Sequence, residues 1–522
     1  MNISINAESV AYLNGNVYTV DTSQPWVEAF IVTPKAKFAA IGSTIDIAQL
    51  AKSSQLITVD LNGSFVMPGV HDSHVHTFHS GLHLLSDVMM DYSTNSSNLQ
   101  PRMQEGFGAC AFHNTYSDWI IGVLNEVEDY DRELIDQDWP NNPVLIHAGG
   151  GHLKYLNTLG LERAGFDITS EPDADRRDFL RRPDGSLSGA VGGQSAMGQA
   201  NMAVTRPTVT HVKRALKRAS MELHRNGITS VQEAASGRLF LEALQSLDME
   251  GELKMEYATH ILYRNEWLTG EMRENGDEII SMAREYASQH VDTRFVKIMM
   301  DGNPIVPSPT VSNLDERGDI DMAHILEKNI GSNLQKWDAA GLTCKIHAAG
   351  SGAVRQALNN IAALRESNPS GPRHEIAHCV SVDQADIPRF REFNITAEMS
   401  PAMHFKTNFP PPNLGFNFSG MLAAQNLVTI GSDWAFGMSL PLFPSVSHLV
   451  EEIGADRLIE MLTINGARSV AKDMEYGTIT VGKTASFIAV DRDLTKGDFE
   501  HATVTKTWFE GELVFDVTGD QI

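Results

Sequence analysis

His74 and His76 stand one residue apart in Val66-Met-Pro-Gly-Val-His-Asp-Ser-His-Val-His76. On a strand, alternate side chains share a face, so both imidazoles point one way and Val75 points the other. Two neutral imidazoles converging on one point suit a divalent ion, because His nitrogens are good ligands for zinc and its neighbours. A lone His-X-His string is equally compatible with surface or core histidines, so the reading depends on partners elsewhere in the chain.

Five further short, largely apolar runs end in a polar residue, at 228–233, 295–301, 344–347, 375–378 and 427–433. Lys297 is a cation inside an apolar run, and a buried Lys without a partner is costly. It reads either as an ion pair with Asp301, two strand steps along the same face, or as part of a metal site. Lys345 shares a face with His347 and competes for the same role or for contact with substrate. His347 and His378 read as ligands or as satisfied core histidines, and His374 lies on the face of His378. Asp433 could cap a turn, or act as the proton acceptor that a metal-acidified water needs.

These residues need rigid placement. With 253–260, 394–399 and the His74 segment, the runs make eight strands, separated by helix-like stretches at 211–225, 279–290, 325–340 and 352–366. Alternating strand and helix predicts parallel βαβ units, and eight of them close an α/β (β/α)8 TIM-like barrel. In such a barrel the chemistry sits at the C-terminal strand ends, where His74, His76, Lys297, His347, His378 and Asp433 all fall.

This ordered set, with Val296-Lys-Ile-Met-Met-Asp-Gly302, His347-Ala-Ala-Gly350 and Gly431-Ser-Asp433, resembles the amidohydrolase superfamily over nearly the whole chain. Within it the motifs resemble the amidohydrolase 3 branch, which includes N-substituted formamide deformylases. The resemblance implies a metal site of His74, His76, Lys297, His347, His378 and Asp433. That site would hold one or two divalent ions, most simply zinc, with Lys297 carbamylated to bridge a pair. Lys297 is favoured over Lys345 because it alone sits in the Val-Lys, Asp-Gly frame. Ala377 precedes His378 where relatives usually carry Glu. Gly149-Gly-Gly-His152 resembles a segment where relatives read Asp-Gly-His, so His152 is expected to touch substrate or polarise its carbonyl, although Gly150 replaces the Asp. Trp434 and Phe436 follow Asp433 and read either as walls of the substrate pocket or as packing for the lid.

The implied activity is hydrolysis of a non-peptide C–N bond in a small molecule, first a linear amide such as an N-substituted formamide or N-acyl amine. Cyclic amide or ester hydrolysis on the same site is the alternative, and a non-catalytic binding or regulatory protein is a different class of reading. Deaminases of the superfamily carry a Glu three residues after the strand-5 His. Here Ala348, Ala349 and Gly350 follow His347, which disfavours deamination.

A chain of 522 residues exceeds a bare barrel of about 250. The excess is expected in two places: a β-sandwich composed of 1–65 and 470–522, and a subdomain inserted at about 79–209 of a barrel spanning 66–469. Net charge is −25 from 66 acidic and 41 basic residues, which excludes nucleic acid as a natural partner. No apolar run is long enough to span a membrane. Cys110, Cys344 and Cys379 make no disulfide framework and no leader pattern opens the chain, so the expected location is the cytoplasm. The oligomeric state is open, a homo-oligomer included.

Overall fold

The computed structural model describes residues 5–519 apart from 91–92, 111, 113–116, 125–128, 149–152, 174–177, 265–272, 303, 305–309, 405–414 and 436–440. At its centre eight parallel strands run in chain order: β1 Val70–Val75, β2 Ile228–Ser236, β3 Glu256–Leu262, β4 Val291–Met299, β5 Thr343–Ala348, β6 Glu375–His378, β7 Thr396–Met399 and β8 Leu427–Ile430. Strands buried on both faces can be apolar throughout, which is why these runs lack clean alternation. The ring closes just past β8, where Asp433 N donates to His74 O at 2.7 Å and His76 N to Trp434 O at 3.0 Å. The expected (β/α)8 fold is present.

Surrounding helices bury one stripe each. Helix Val209–Arg225 turns Val212, Ala215, Leu216, Ala219 and Leu223 inward, at the spacing of a single helical face. Its start is fixed by Thr208, whose side chain accepts from His211 N at 3.2 Å.

The His74 segment is two strands, where the sequence suggested one. Phe65–Pro68 pairs with Phe487–Val490 and Asn16–Tyr18 in another sheet, and β1 begins only at Val70. Gly69 is the junction. A Cβ there would lie 2.2 Å from Thr229 Oγ1, so only glycine lets the chain cross so close to β2.

Both chain ends meet in one six-stranded sheet, ordered Glu512–Asp516, Val504–Phe509, Phe487–Val490, Phe65–Pro68, Asn16–Tyr18 and Trp26–Val27. A four-stranded sheet packs beside it around Tyr12, Phe30, Phe38, Phe487 and Trp508. Between β1 and β2 the chain builds a further six-stranded sheet, with Leu153–Leu156 and Val144–Ala148 at its centre. Its core reaches the barrel mouth, because Leu145, Leu156 and Met197 cluster with Ala235, Leu262 and Met299 at the C-terminal ends of β2, β3 and β4.

Candidate metal centre

His74, in β1, is oriented from behind. Its Nδ1 lies 2.7 Å from Glu398 Oε2, and Glu398 is itself held by Ser400 Oγ at 2.5 Å and His378 N at 3.1 Å. A carboxylate at Nδ1 favours the proton there and leaves the Nε2 lone pair facing the barrel mouth. That atom is 3.6 Å from Asp433 Oδ1, and His76 Nε2 is 3.3 Å from the same oxygen. The His378 ring lies 4.6 Å from that of His74 and 4.4 Å from that of His347, and His378 Nδ1 is 4.0 Å from Asp433 Oδ2. His347 Nε2 is 3.0 Å from Gly302 O.

A divalent cation fits this arrangement. Ligand atoms of His74, His76 and Asp433 lie within 4.8 Å of one another. Nδ1 of His378, which faces Asp433, is buried without a hydrogen-bond partner among the described residues, an arrangement that costs free energy unless something else satisfies it. Burial, then Lys297 and His378, holds the His74 imidazole well below its usual range; burial, then His347 and Lys297, does the same for His378. Both are therefore neutral at ordinary pH, the form that can ligate. Burial pushes Glu398 up to about 8 while Lys345 pulls it back, so positive charge at the centre would keep this carboxylate ionised against His74.

The backbone is strained where the ligand candidates sit. His378, Cys379 and Asp433 have φ of 73°, 46° and 51°, a region that costs non-glycine residues free energy. Gly431 allows the closure, because a Cβ there would stand 2.3 Å from His74 Cβ and 2.7 Å from Glu398 Oε1.

The two lysines separate. Lys297 Nζ is 3.2 Å from His74 Nε2, inside the centre, and burial with the charge of Lys345 pulls it down to about 7. Lys345 Nζ is 2.7 Å from Glu375 Oε1 and donates to Ser73 O. Asp301 accepts from Ala349 N, Gly350 N and Ser312 N at 3.0, 2.9 and 3.2 Å, which fixes the loop after β5. His374 faces away from the centre, with Nε2 3.0 Å from Asp338 Oδ1. Trp434 is 4% exposed and packs in the barrel core, while its carbonyl accepts from Ser80 Oγ at 2.9 Å. Gly150, His152 and Phe436 lie outside the described residues.

Sequence reasoning missed several groups. Glu398 was inside a predicted strand and in phase with Thr396, a usable signal for an inward carboxylate. Glu233 lies behind His76, with Oε1 3.9 Å from Nδ1 and Oε2 accepting from Thr77 N at 2.6 Å. From His76 a row continues through buried His79 and His83, at ring separations of 6.3 and 6.5 Å, to half-buried His147 at 5.5 Å. It ends at Lys154, whose Nζ is 2.5 Å from His147 Nδ1 and which burial pulls down to about 7. Helical spacing from His76 could have shown His79 and His83 on its face.

A family model described as "Amidohydrolase family" matches residues 58–515. An N-substituted formamide deformylase of Arthrobacter pascens is 23% identical, the alignment covering 97% of this chain and 98% of that protein. The exoenzymes regulatory protein AepA of Pectobacterium carotovorum is 23% identical over 73% of this chain and 82% of its own. Among solved structures, an uncharacterized metal-dependent hydrolase from Pyrococcus horikoshii superposes with a TM-score of 0.73 at 18% identity, covering 95% of this chain and 99% of that one.

Proposed function

This chain belongs to the amidohydrolase family, and from that premise we propose that it is a metal-dependent hydrolase of a linear, non-peptide amide such as an N-substituted formamide or N-acyl amine. The observation that carries the reading is the convergence of His74 Nε2, His76 Nε2 and Asp433 Oδ1 at the barrel mouth. Similarity to the deformylase supports the choice of amide.

His74, His76, Lys297, His347, His378 and Asp433 would hold one or two ions, most simply zinc. When bound, such an ion supplies Lewis acidity towards a carbonyl oxygen and acidifies water. Asp433, with its side chain 14% exposed at the mouth, accepts the proton of the attacking water and returns it to the departing nitrogen. Glu398 holds the His74 ring in place throughout. Lys297 as a neutral amine can add carbon dioxide, losing one proton to give a carbamate, whose two oxygens would then be available to help hold the ions. Its proximity to His74 and the depressed basicity of its amine support that modification. His152 in the inserted segment is assigned to substrate, whereas Trp434 packs in the barrel core.

The test is hydrolysis of a panel by the zinc-loaded protein: N-substituted formamides, longer N-acyl amines, cyclic amides and esters. The reading expects carboxylic acid and amine released fastest from an open-chain amide. Preference for cyclic amides or esters would replace the substrate class. The regulatory relative favours a second reading, a scaffold that binds without turnover. Absence of both bound metal and turnover across the panel would establish that reading instead.

A further inference from the structure

At the opposite end of the barrel from His74, an open cavity of about 680 Å³ is lined by Arg373, Arg391, Arg457 and Arg468, with Glu460 and Asp473 as its acidic groups. Arg373 stands two residues before β6, and Asn394 and Asn426, also in the lining, stand two residues before β7 and one before β8. These are the N-terminal strand ends, where a barrel of this kind keeps no chemistry and residues serve stability.

Stability does not account for these four side chains. Among the described residues none of them forms an ion pair with a carboxylate. Arg391 donates to the amide oxygen of Gln425, and Arg468 to Asn465 Oδ1 at 3.1 Å. Elsewhere the chain pairs its arginines readily, as in Arg163 with Asp118, Arg182 with Asp131, Arg355 with Asp386, Arg365 with Asp338 and Arg492 with Asp491. A chain with 66 acidic against 41 basic residues has ample carboxylates, yet this cavity holds four guanidinium groups against two. The cations also oppose one another. Burial and Arg468 both work against the charge on half-buried Arg373, and only Asp473 favours it. Lys483 beside them meets the same combination of burial, Asp473 and Arg468.

Four guanidinium groups without a carboxylate ion pair among the described residues, three of them exposed and one half-buried, gather around one concavity and make it electropositive, which suits an anion. Guanidinium forks match the oxygens of phosphate in paired hydrogen bonds. The volume falls within the range of about 300–1,000 Å³ typical of small-molecule pockets and exceeds what a free phosphate requires. We propose that this cavity binds a small organic phosphate, with Arg373 and Arg468 holding the phosphoryl group and Arg391 and Arg457 at its rim. The site is separate from the metal centre and does not depend on the amide reading.

The test is calorimetric titration of the metal-loaded protein with inorganic phosphate, pyrophosphate and adenosine 5′-monophosphate at fixed ionic strength. It is repeated on Arg373→Gln, Arg468→Gln and the control Arg317→Gln, which lies in an exposed loop. The proposal expects saturable one-to-one binding of the organic phosphate. Affinity should fall about tenfold or more in each cavity variant, as loss of a charge-assisted hydrogen bond implies, and stay unchanged in the control. The same ligand should raise the melting temperature of the wild type and raise it less in the two variants, which keeps the result readable if a variant is itself less stable. Equal affinity for inorganic and organic phosphate would confine the site to a free anion and overturn the organic ligand. No saturable binding, or affinity unchanged by Arg373→Gln and Arg468→Gln, would overturn the site altogether. A concentration-dependent dimer lost in the cavity variants, with no anion bound, would assign the cavity to the acidic surface of a second copy.

Discussion

Lys297 and Lys345 lie side by side in register on β4 and β5, yet their ammonium groups serve different partners. Lys297 Nζ is 3.2 Å from His74 Nε2, while Lys345 Nζ is 2.7 Å from Glu375 Oε1. Two buried cations so close can be tolerated only if one is neutral or each is held by opposite charge.

The first prediction follows from that division. Lys297→Ala should lose metal and activity and leave the fold intact, and a short carboxylic acid should restore part of both by supplying two oxygens in the vacated space. Lys345→Met should instead lower stability by about 3–5 kcal/mol, because Glu375 is left buried and unpaired. Metal analysis and urea unfolding of both variants check the pair; exchange of the two phenotypes would reassign the lysines.

Asp433→Asn should lower kcat by a factor of about 100 or more while most metal is retained. Asn also tolerates the left-handed backbone that position 433 adopts, with φ of 51°, so the change removes the proton acceptor and leaves the turn in place. Steady-state kinetics with metal analysis are the check, and turnover near that of the wild type would place the base elsewhere.

The barrel was legible because parallel strands buried on both faces read as unbroken apolar runs ending in chemistry-bearing residues. Its ligand candidates were legible because their order along the chain is their order around the ring. Neither signal reaches the contacts behind them. His74 and Glu398 are 324 residues apart, and only the closed ring brings them to 2.7 Å. The break at Gly69 was hidden for another reason: Val66 and Val70 are both apolar, and nothing local says that they join different sheets. Lys345 looked like a rival for Lys297 until Glu375 appeared one strand over.

Glu398→Gln should weaken metal binding by about 10- to 100-fold, the usual cost of removing the carboxylate that orients a ligating His. Competition with a fluorescent chelator gives the affinity directly. An unchanged value would mean that packing alone orients His74.

Gly431→Ala should cost about 1–3 kcal/mol through overpacking and displace His74, with metal affinity falling alongside. The added methyl would stand 2.3 Å from His74 Cβ. Thermal melts and metal titration of this variant check it; wild-type values for both would show that the ring closure has slack.

Stability should also carry a pH signature at the barrel base. Burial works against the charge on His290, but Glu510 and Asp248, the latter 2.6 Å from Nδ1, raise it from 6.5 to about 9. Because the folded state binds this proton more tightly, the contribution is fully present below about pH 6.5 and is lost as pH rises through about 9. The melting-temperature gap between wild type and His290→Gln should therefore shrink across that interval, and a gap constant with pH would contradict the charged imidazole.

The central claim is that His74 and His76 help hold a divalent ion on which hydrolysis depends. Its most direct test is metal content per chain by elemental mass spectrometry, after zinc loading and desalting, for wild type, His74→Ala and His76→Ala. The account predicts one or two ions per chain in the wild type, loss of metal in both variants and loss of amide hydrolysis with it. Full metal retained in the folded variants would contradict it.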